Sequence, residues 1–104
     1  MPTYKIGAAG ENAVLKDLTD HGFTTSLLKS TISEPAKIEA NKQKTRIIVH
    51  VKVAVLPEKP HGVSQEEENK IIIYASRMGA IAYEAKVQLD HALNSTEINY
   101  RILL

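Results

Sequence analysis

The chain has no cysteine among its 104 residues, so it can form neither a disulfide framework nor a thiolate metal site. It has no apolar run of about 18 residues, so no stretch suits a membrane-spanning helix. The opening Met1-Pro2-Thr3-Tyr4-Lys5 lacks the apolar core of a signal peptide, and a cytoplasmic protein is expected. Without a secretory signal, the sequon Asn94-Ser95-Thr96 carries no weight. The net charge of +1 lacks the large positive excess of a dedicated nucleic-acid binder. There is no nucleophile elbow and no dinucleotide fingerprint, and Gly7-Ala8-Ala9-Gly10 lacks the Gly-Lys-Ser/Thr of a phosphate loop. His21, His61 and His91 are scattered, without metal-ligand spacing. No repeat, low-complexity stretch or domain boundary is visible, so residues 1–104 are expected to form a single domain with a modest core.

What is present is an ordinary globular composition, 43% apolar, with clear periodicities. Val14, Leu15 and Leu18 form the apolar stripe of a helix over residues 8–21, stopped by Gly22. On that helix Glu11 falls on the core-facing side near the N-terminus, where it complements the helix dipole. Phe23 to Leu28 reads as a strand, Thr31 to Pro35 as a loop and Lys37 to Asn41 as a short strand. Asn41 to Lys44 reads as the turn into the next strand. After the Pro- and Gly-containing loop Leu56–Val63, Ser64 and Glu67 make a capping box for a helix running to about Met78. The stripe of that helix is Glu68, Ile71, Ile72, Ala75 and Met78, and Gly79 ends it. Glu66, Glu67 and Glu68 suit the positive end of its dipole. Ala80 to Leu89 and Ile98 to Leu104 alternate as strands. Tyr4, Tyr74, Tyr83 and Tyr100 are expected to pack with wet hydroxyls.

The long strand Thr45 to Val55 is the most informative segment. Side chains alternate along a strand, so Thr45, Ile47, Val49, Val51, Val53 and Val55 share one face. Arg46, Ile48, His50, Lys52 and Ala54 share the other. A histidine and a lysine on one face of an apolar strand are costly to bury without partners. Either the face is solvated at a sheet edge, or a site is built on a central strand. Lys37 and Glu39 share a face of the preceding strand, and a hairpin of suitable register sets them near His50 and Lys52. Between Pro35 and Pro60 six basic residues stand against two acidic ones, a local excess of +4. Lys37, Lys42, Lys44 and Arg46 in this stretch are the candidate nucleic-acid contacts.

The order helix, three strands, helix, two strands implies an α/β fold with a mixed sheet flanked by helices. That order resembles the restriction-endonuclease-like nucleases, marked by a PD-(D/E)xK motif, and within them the small archaeal-type Holliday junction resolvases. The residues that carry the resemblance are Gly10-Glu11-Asn12-Ala13-Val14 with Gly22-Phe23, then Lys37-Ile38-Glu39-Ala40 and Val49-His50-Val51-Lys52. The helix from Ser64 to Met78 and its following strand complete it, so most of the chain is covered.

In such nucleases the helix glutamate and two motif carboxylates hold a divalent metal, which activates water, while the motif lysine supports that water. The resemblance therefore implies catalytic roles for Glu11, His50 and Lys52. The metal set becomes Glu11, Glu39 and His50, with Mg2+ or Mn2+ as the cofactor of an active enzyme. It also implies structured or branched DNA as partner and a homodimer, with no membrane partner and no small-molecule cofactor. The sequence departs from the motif at two places. Lys37 stands where an aspartate is expected, and His50 where an acidic residue or glutamine is expected. Two readings follow: a metal-dependent DNA endonuclease, or a catalytically inactive relative that binds DNA or protein. A third is a small structural protein that self-associates through the edge strand Ile98–Leu104.

Overall fold

A computed structural model describes residues 3–28 and 37–104. Its elements are α1 (Thr3–Asp20), β1 (Thr24–Leu28), β2 (Lys37–Lys42), β3 (Thr45–Val55), α2 (Gln65–Arg77), β4 (Ile81–Leu89) and β5 (Ser95–Leu103). The strands form one sheet in the order β1-β2-β3-β4-β5. β3 and β4 are parallel, joined through α2, and the other neighbours are antiparallel. The expected α/β class, mixed sheet and element order are what the structure has. The loop expected over Thr31–Pro35 and the side chain of Tyr4 lie outside the described residues. Among the described residues no helix is long and apolar enough to cross a membrane.

The two faces of β3 are covered by different helices. Val14 and Leu18 of α1 are buried against Ile47, Val49 and Val87. Ile71 and Ala75 of α2 are buried against Ile48, Ala82 and Leu103. The long strand is therefore central, and the solvated-edge reading of its Arg46–Ala54 face does not hold. Full burial of an aliphatic side chain contributes roughly 1.5–3 kcal/mol, so Val14, Ile38, Ile48 and Val49, all at 0% exposure, anchor both layers.

Two elements differ from the sequence reading. Helix α1 begins at Thr3, five residues before the expected start, because Ile6 and Ala9 also pack on the core. Gly10 makes this approach possible: a Cβ there would lie 2.9 Å from the Val53 side chain. Strand β5 begins at Ser95 rather than Ile98, since Ser95 and Glu97 still pair with β4 although their polar side chains gave no alternation. Helix α2 has the expected capping box, with Ser64 accepting from the Glu67 N–H and Glu67 reaching back to the cap. Gly79, at φ +67°, then turns the chain in the left-handed region.

Candidate functional site

The α2 face of the sheet carries a row of polar side chains contributed by four strands. Lys37, His50, Glu84 and Arg101 are successive cross-strand partners. Lys52 and Lys86 are partners two positions further along β3 and β4, with Asn99 beside Lys86 on β5. Lys37, His50 and Glu84 are 7%, 2% and 1% exposed. Charges this buried require partners, since an uncompensated one costs several kcal/mol.

The partners come from α2, the loop before it and β5. Glu84 accepts the Val63 N–H at 2.7 Å and the Arg101 guanidinium at 3.3 and 3.4 Å. Arg101 also donates to Glu68 at 2.9 Å. Burial pushes the Glu84 carboxyl up, but the Val63 N–H and Arg101 outweigh it and hold the carboxyl below its ordinary range. Lys52 donates to both oxygens of Glu67, at 3.2 and 3.0 Å. That bond lowers the Glu67 pKa against the opposing effect of burial, with help from the Ser64 N–H. The Nε2 of His50 lies 3.7 Å from the same carboxylate. Among the described residues His50 Nδ1, which is buried, has no hydrogen-bond partner. Burial, and then the charge of Lys52, lower the His50 pKa, so the ring is neutral at neutral pH. The Lys37 ammonium stands 4.7 Å from the centre of the Tyr74 ring, a cation–π distance.

The hairpin register brings three of the sequence-derived candidates together: Lys37 opposes His50, and Lys52 follows two residues on. Glu39 shares their face but opposes Ile48, away from Lys52, and its carboxylate meets Asn41 at 3.3 Å and Arg46 at 3.7 Å. Glu11 belongs to α1, on the other face of the sheet. Because α1 starts at Thr3, Glu11 lies mid-helix rather than in the first turn, and dipole compensation does not account for it. Burial raises its pKa. Lys42 and Arg46 flank the β2–β3 turn and bond to backbone carbonyls, Lys42 to His21 at 2.8 Å and Arg46 to Met78 at 2.9 Å. Lys44 is exposed at the tip of that turn.

Among the described residues no group of three or more His, Asp or Glu is placed to hold a metal ion. Glu11 lies on the α1 face and Glu39 and His50 on the other, Glu39 turned toward Asn41 and Arg46, and a cation beside His50 would meet Lys37 and Lys52. This donor set does not fit Mg2+ or Mn2+, which need converging oxygen ligands. What the arrangement does is tie the N-terminal end of α2 to the sheet through two ion-pair clusters, Lys52–Glu67 and Glu84–Arg101–Glu68.

Sequence reasoning passed over Glu84, Arg101 and the reach of Glu67. Ala82, Glu84, Lys86 and Gln88 are distinguished in the sequence only as the second face of an alternating strand. The available signal was the connection: a helix between two parallel strands lies over one face of the sheet, so polar residues on that face are buried beneath it. Glu67 had a complete local explanation in the capping box, which concealed its second role.

A family model described as "Domain of unknown function (DUF8840)" matches residues 6–102, and the chain belongs to that family. Among curated proteins, none matches. Among solved structures the chain is similar to the Holliday junction resolvase of Archaeoglobus fulgidus, an archaeal hyperthermophile, with a TM-score of 0.65 and 23% identity. That likeness spans 88% of this chain and 74% of the resolvase, and it shows a shared nuclease-like fold.

Proposed function

We propose that this member of the family is a nucleic-acid-binding module of the nuclease-like fold that does not cleave. The observation that carries this reading is the occupancy of the motif positions. Where the resembling nucleases carry metal-binding carboxylates, this chain has Lys37 and a neutral, buried His50, and its motif lysine, Lys52, is held by Glu67. A lysine clamped between both oxygens of a carboxylate is not presented to an attacking water, and among the described residues no acidic cluster stands beside it to hold a cation.

Two features support nucleic acid as the partner. One is the fold, shared with a resolvase. The other is the basic β2–β3 hairpin, where Lys42, Lys44 and Arg46 are all exposed around one turn, Lys42 toward the α1 side and Arg46 toward the α2 side. Contacts of this kind are phosphate-directed and weaken steeply with salt, because each neutralised phosphate releases condensed counterions. Structured DNA in the cytoplasm, bound by a two-fold pair of chains, is the setting this reading expects.

The test uses a labelled four-way junction and a plain duplex, with magnesium, manganese or chelator, across a salt series. The expected result is salt-sensitive binding that is the same with and without metal, and intact strands. Replacing Lys44 or Arg46 with Gln reduces the salt slope by about one each. Metal-dependent cleavage that Lys52→Ala abolishes would overturn the proposal and establish the endonuclease alternative.

A second reading, self-association without nucleic acid, rests on the edge strand β5 and the exposed apolar side chains Ile81 (43%) and Ile102 (42%) beside it. It takes over if neither DNA binds and Ile102→Lys converts a dimer to a monomer in sedimentation.

A further inference from the structure

We infer that the cleft between the C-terminal end of α1 and the sheet is a pocket for an unpaired nucleobase, with Lys42 at its mouth to meet the adjoining phosphate. This rests on the nucleic-acid reading above and names a contact that reading lacks. The cleft lies on the α1 face, opposite the Lys37–Arg101 row, and has a volume of about 380 Å³. That size is within the range of small-ligand pockets, roughly 300–1,000 Å³.

Its walls are aromatic in a chain that has few aromatics. Phe23, Tyr83 and Tyr100 come from the α1–β1 connection, β4 and β5 and line the same space. Their positions are fixed by bonds at the rim. The Tyr100 hydroxyl donates to Asp17 Oδ2 at 2.7 Å, across 83 residues of sequence. His21 Nδ1 is 2.7 Å from the Asp17 carbonyl oxygen. Lys42 donates to the His21 carbonyl at 2.8 Å and stands 5.6 Å from the centre of the Phe23 ring. The cleft therefore combines apolar rings with one carboxylate and one anchored ammonium. Tyr100 remains 38% exposed, so the wall is accessible from solvent.

The chemistry of these groups selects the occupant. A planar, uncharged heterocycle stacks on aromatic rings whatever its identity, and its ring N–H or exocyclic amine can donate to the Asp17 carboxylate. Lys42, which lines the cleft, with the exposed Lys44 at the tip of the same hairpin, supplies positive charge where the phosphate attached to that heterocycle would lie. A base inside a duplex keeps both faces stacked and cannot enter, so the pocket takes a base from a bulge, branch point or single strand.

The test compares a DNA duplex carrying one bulged 2-aminopurine with the same duplex in which that base is paired, at fixed salt. The bulged DNA is expected to bind about tenfold tighter or more, with a change in 2-aminopurine fluorescence. Tyr100→Ala is expected to remove this preference while paired-duplex affinity stays unchanged. Phe23→Leu, which keeps apolar volume but removes a ring, is expected to do the same and serves if Tyr100→Ala fails to fold. Equal affinity for the two DNAs, or a preference that survives both variants, overturns the pocket while leaving duplex binding and the broader reading intact. Absence of binding to any DNA overturns both.

Discussion

His50 is the residue whose environment conflicts most with its chemistry. It is 2% exposed, its Nδ1 has no hydrogen-bond partner among the described residues, and the charges facing it are those of Lys37, Lys52, Glu67 and Glu84. Burial holds its pKa below the ordinary 6.5, so the folded protein resists a proton that the unfolded chain accepts. The stability this provides is complete above pH 6.5 and is lost as pH falls from there toward the folded-state pKa. Melting temperature is expected to fall between pH 7 and pH 5, and His50→Gln is expected to flatten that dependence. The exposed His21, His61 and His91 are common to both proteins and cancel in the comparison. Glu67 and Glu84 act in a lower window. Their carboxyls are held below the ordinary 4.5, so their contribution is present above that pH and is lost as pH falls through the lowered values. Glu84→Ala, which strands Arg101 and the Val63 N–H, is expected to cost about 2–4 kcal/mol in urea unfolding. Arg101→Ala costs less, because Glu84 keeps the Val63 N–H and Arg101 is half exposed.

At the scale of elements, each helix is fixed by a long-range contact, and α2 also by a local device. For α2 the device is the capping box, and the contact is Glu67 with Lys52. Ser64→Ala is expected to cost about 1 kcal/mol through loss of the cap, measured by thermal unfolding. For α1 the contact is the approach of Gly10 to Val53. Gly10→Ala removes backbone freedom, which alone stabilises a helix by roughly 0.5–1 kcal/mol, but it places a methyl group 2.9 Å from a β-branched side chain. Crowding wins, with a net loss of about 1–3 kcal/mol expected. In a double-mutant cycle Val53→Ala is expected to recover much of that loss, whereas strictly additive costs would show that the two residues do not compete for space.

The whole molecule is a mixed sheet that keeps its chemistry on two separate faces. Under α2 lies the polar row of four strands, closed by ion pairs. On the α1 side lies the aromatic cleft with Lys42 in its lining, while Arg46 of the same hairpin turns to the α2 side. Both edges, β1 and β5, are unpaired among the described residues. β5 carries the greater self-association hazard, because its exposed face includes Ile102. Since α1 spans the sheet opposite Lys52, contacts from the hairpin and cleft can be altered without disturbing the Lys52–Glu67 pair. Lys52→Ala is accordingly expected to change stability modestly and DNA affinity little, which stability and binding measurements on the one variant can separate.

Much of this was legible along the chain. The alternation from Thr45 to Val55 defined both faces of β3, the Ser64–Glu67 box placed the start of α2 to the residue, and the element order implied the sheet. These signals are local: side-chain period, capping chemistry and turn residues act within a few positions of themselves. The start of α1 was not legible, because the apolar stripe reads from Val14, Leu15 and Leu18 alone, and the packing of Ile6 and Ala9 on the core emerges only in the assembled fold. Nor were the partners of Lys52, Glu84 and Tyr100, which lie 15, 17 and 83 residues away along the chain. The fate of a charge depends on which face of which strand is covered, and cross-strand register and helix placement decide that. The sequence by itself determined which residues carry the chemistry; the tertiary structure decided which of them meet, because register and burial are properties of the assembled sheet.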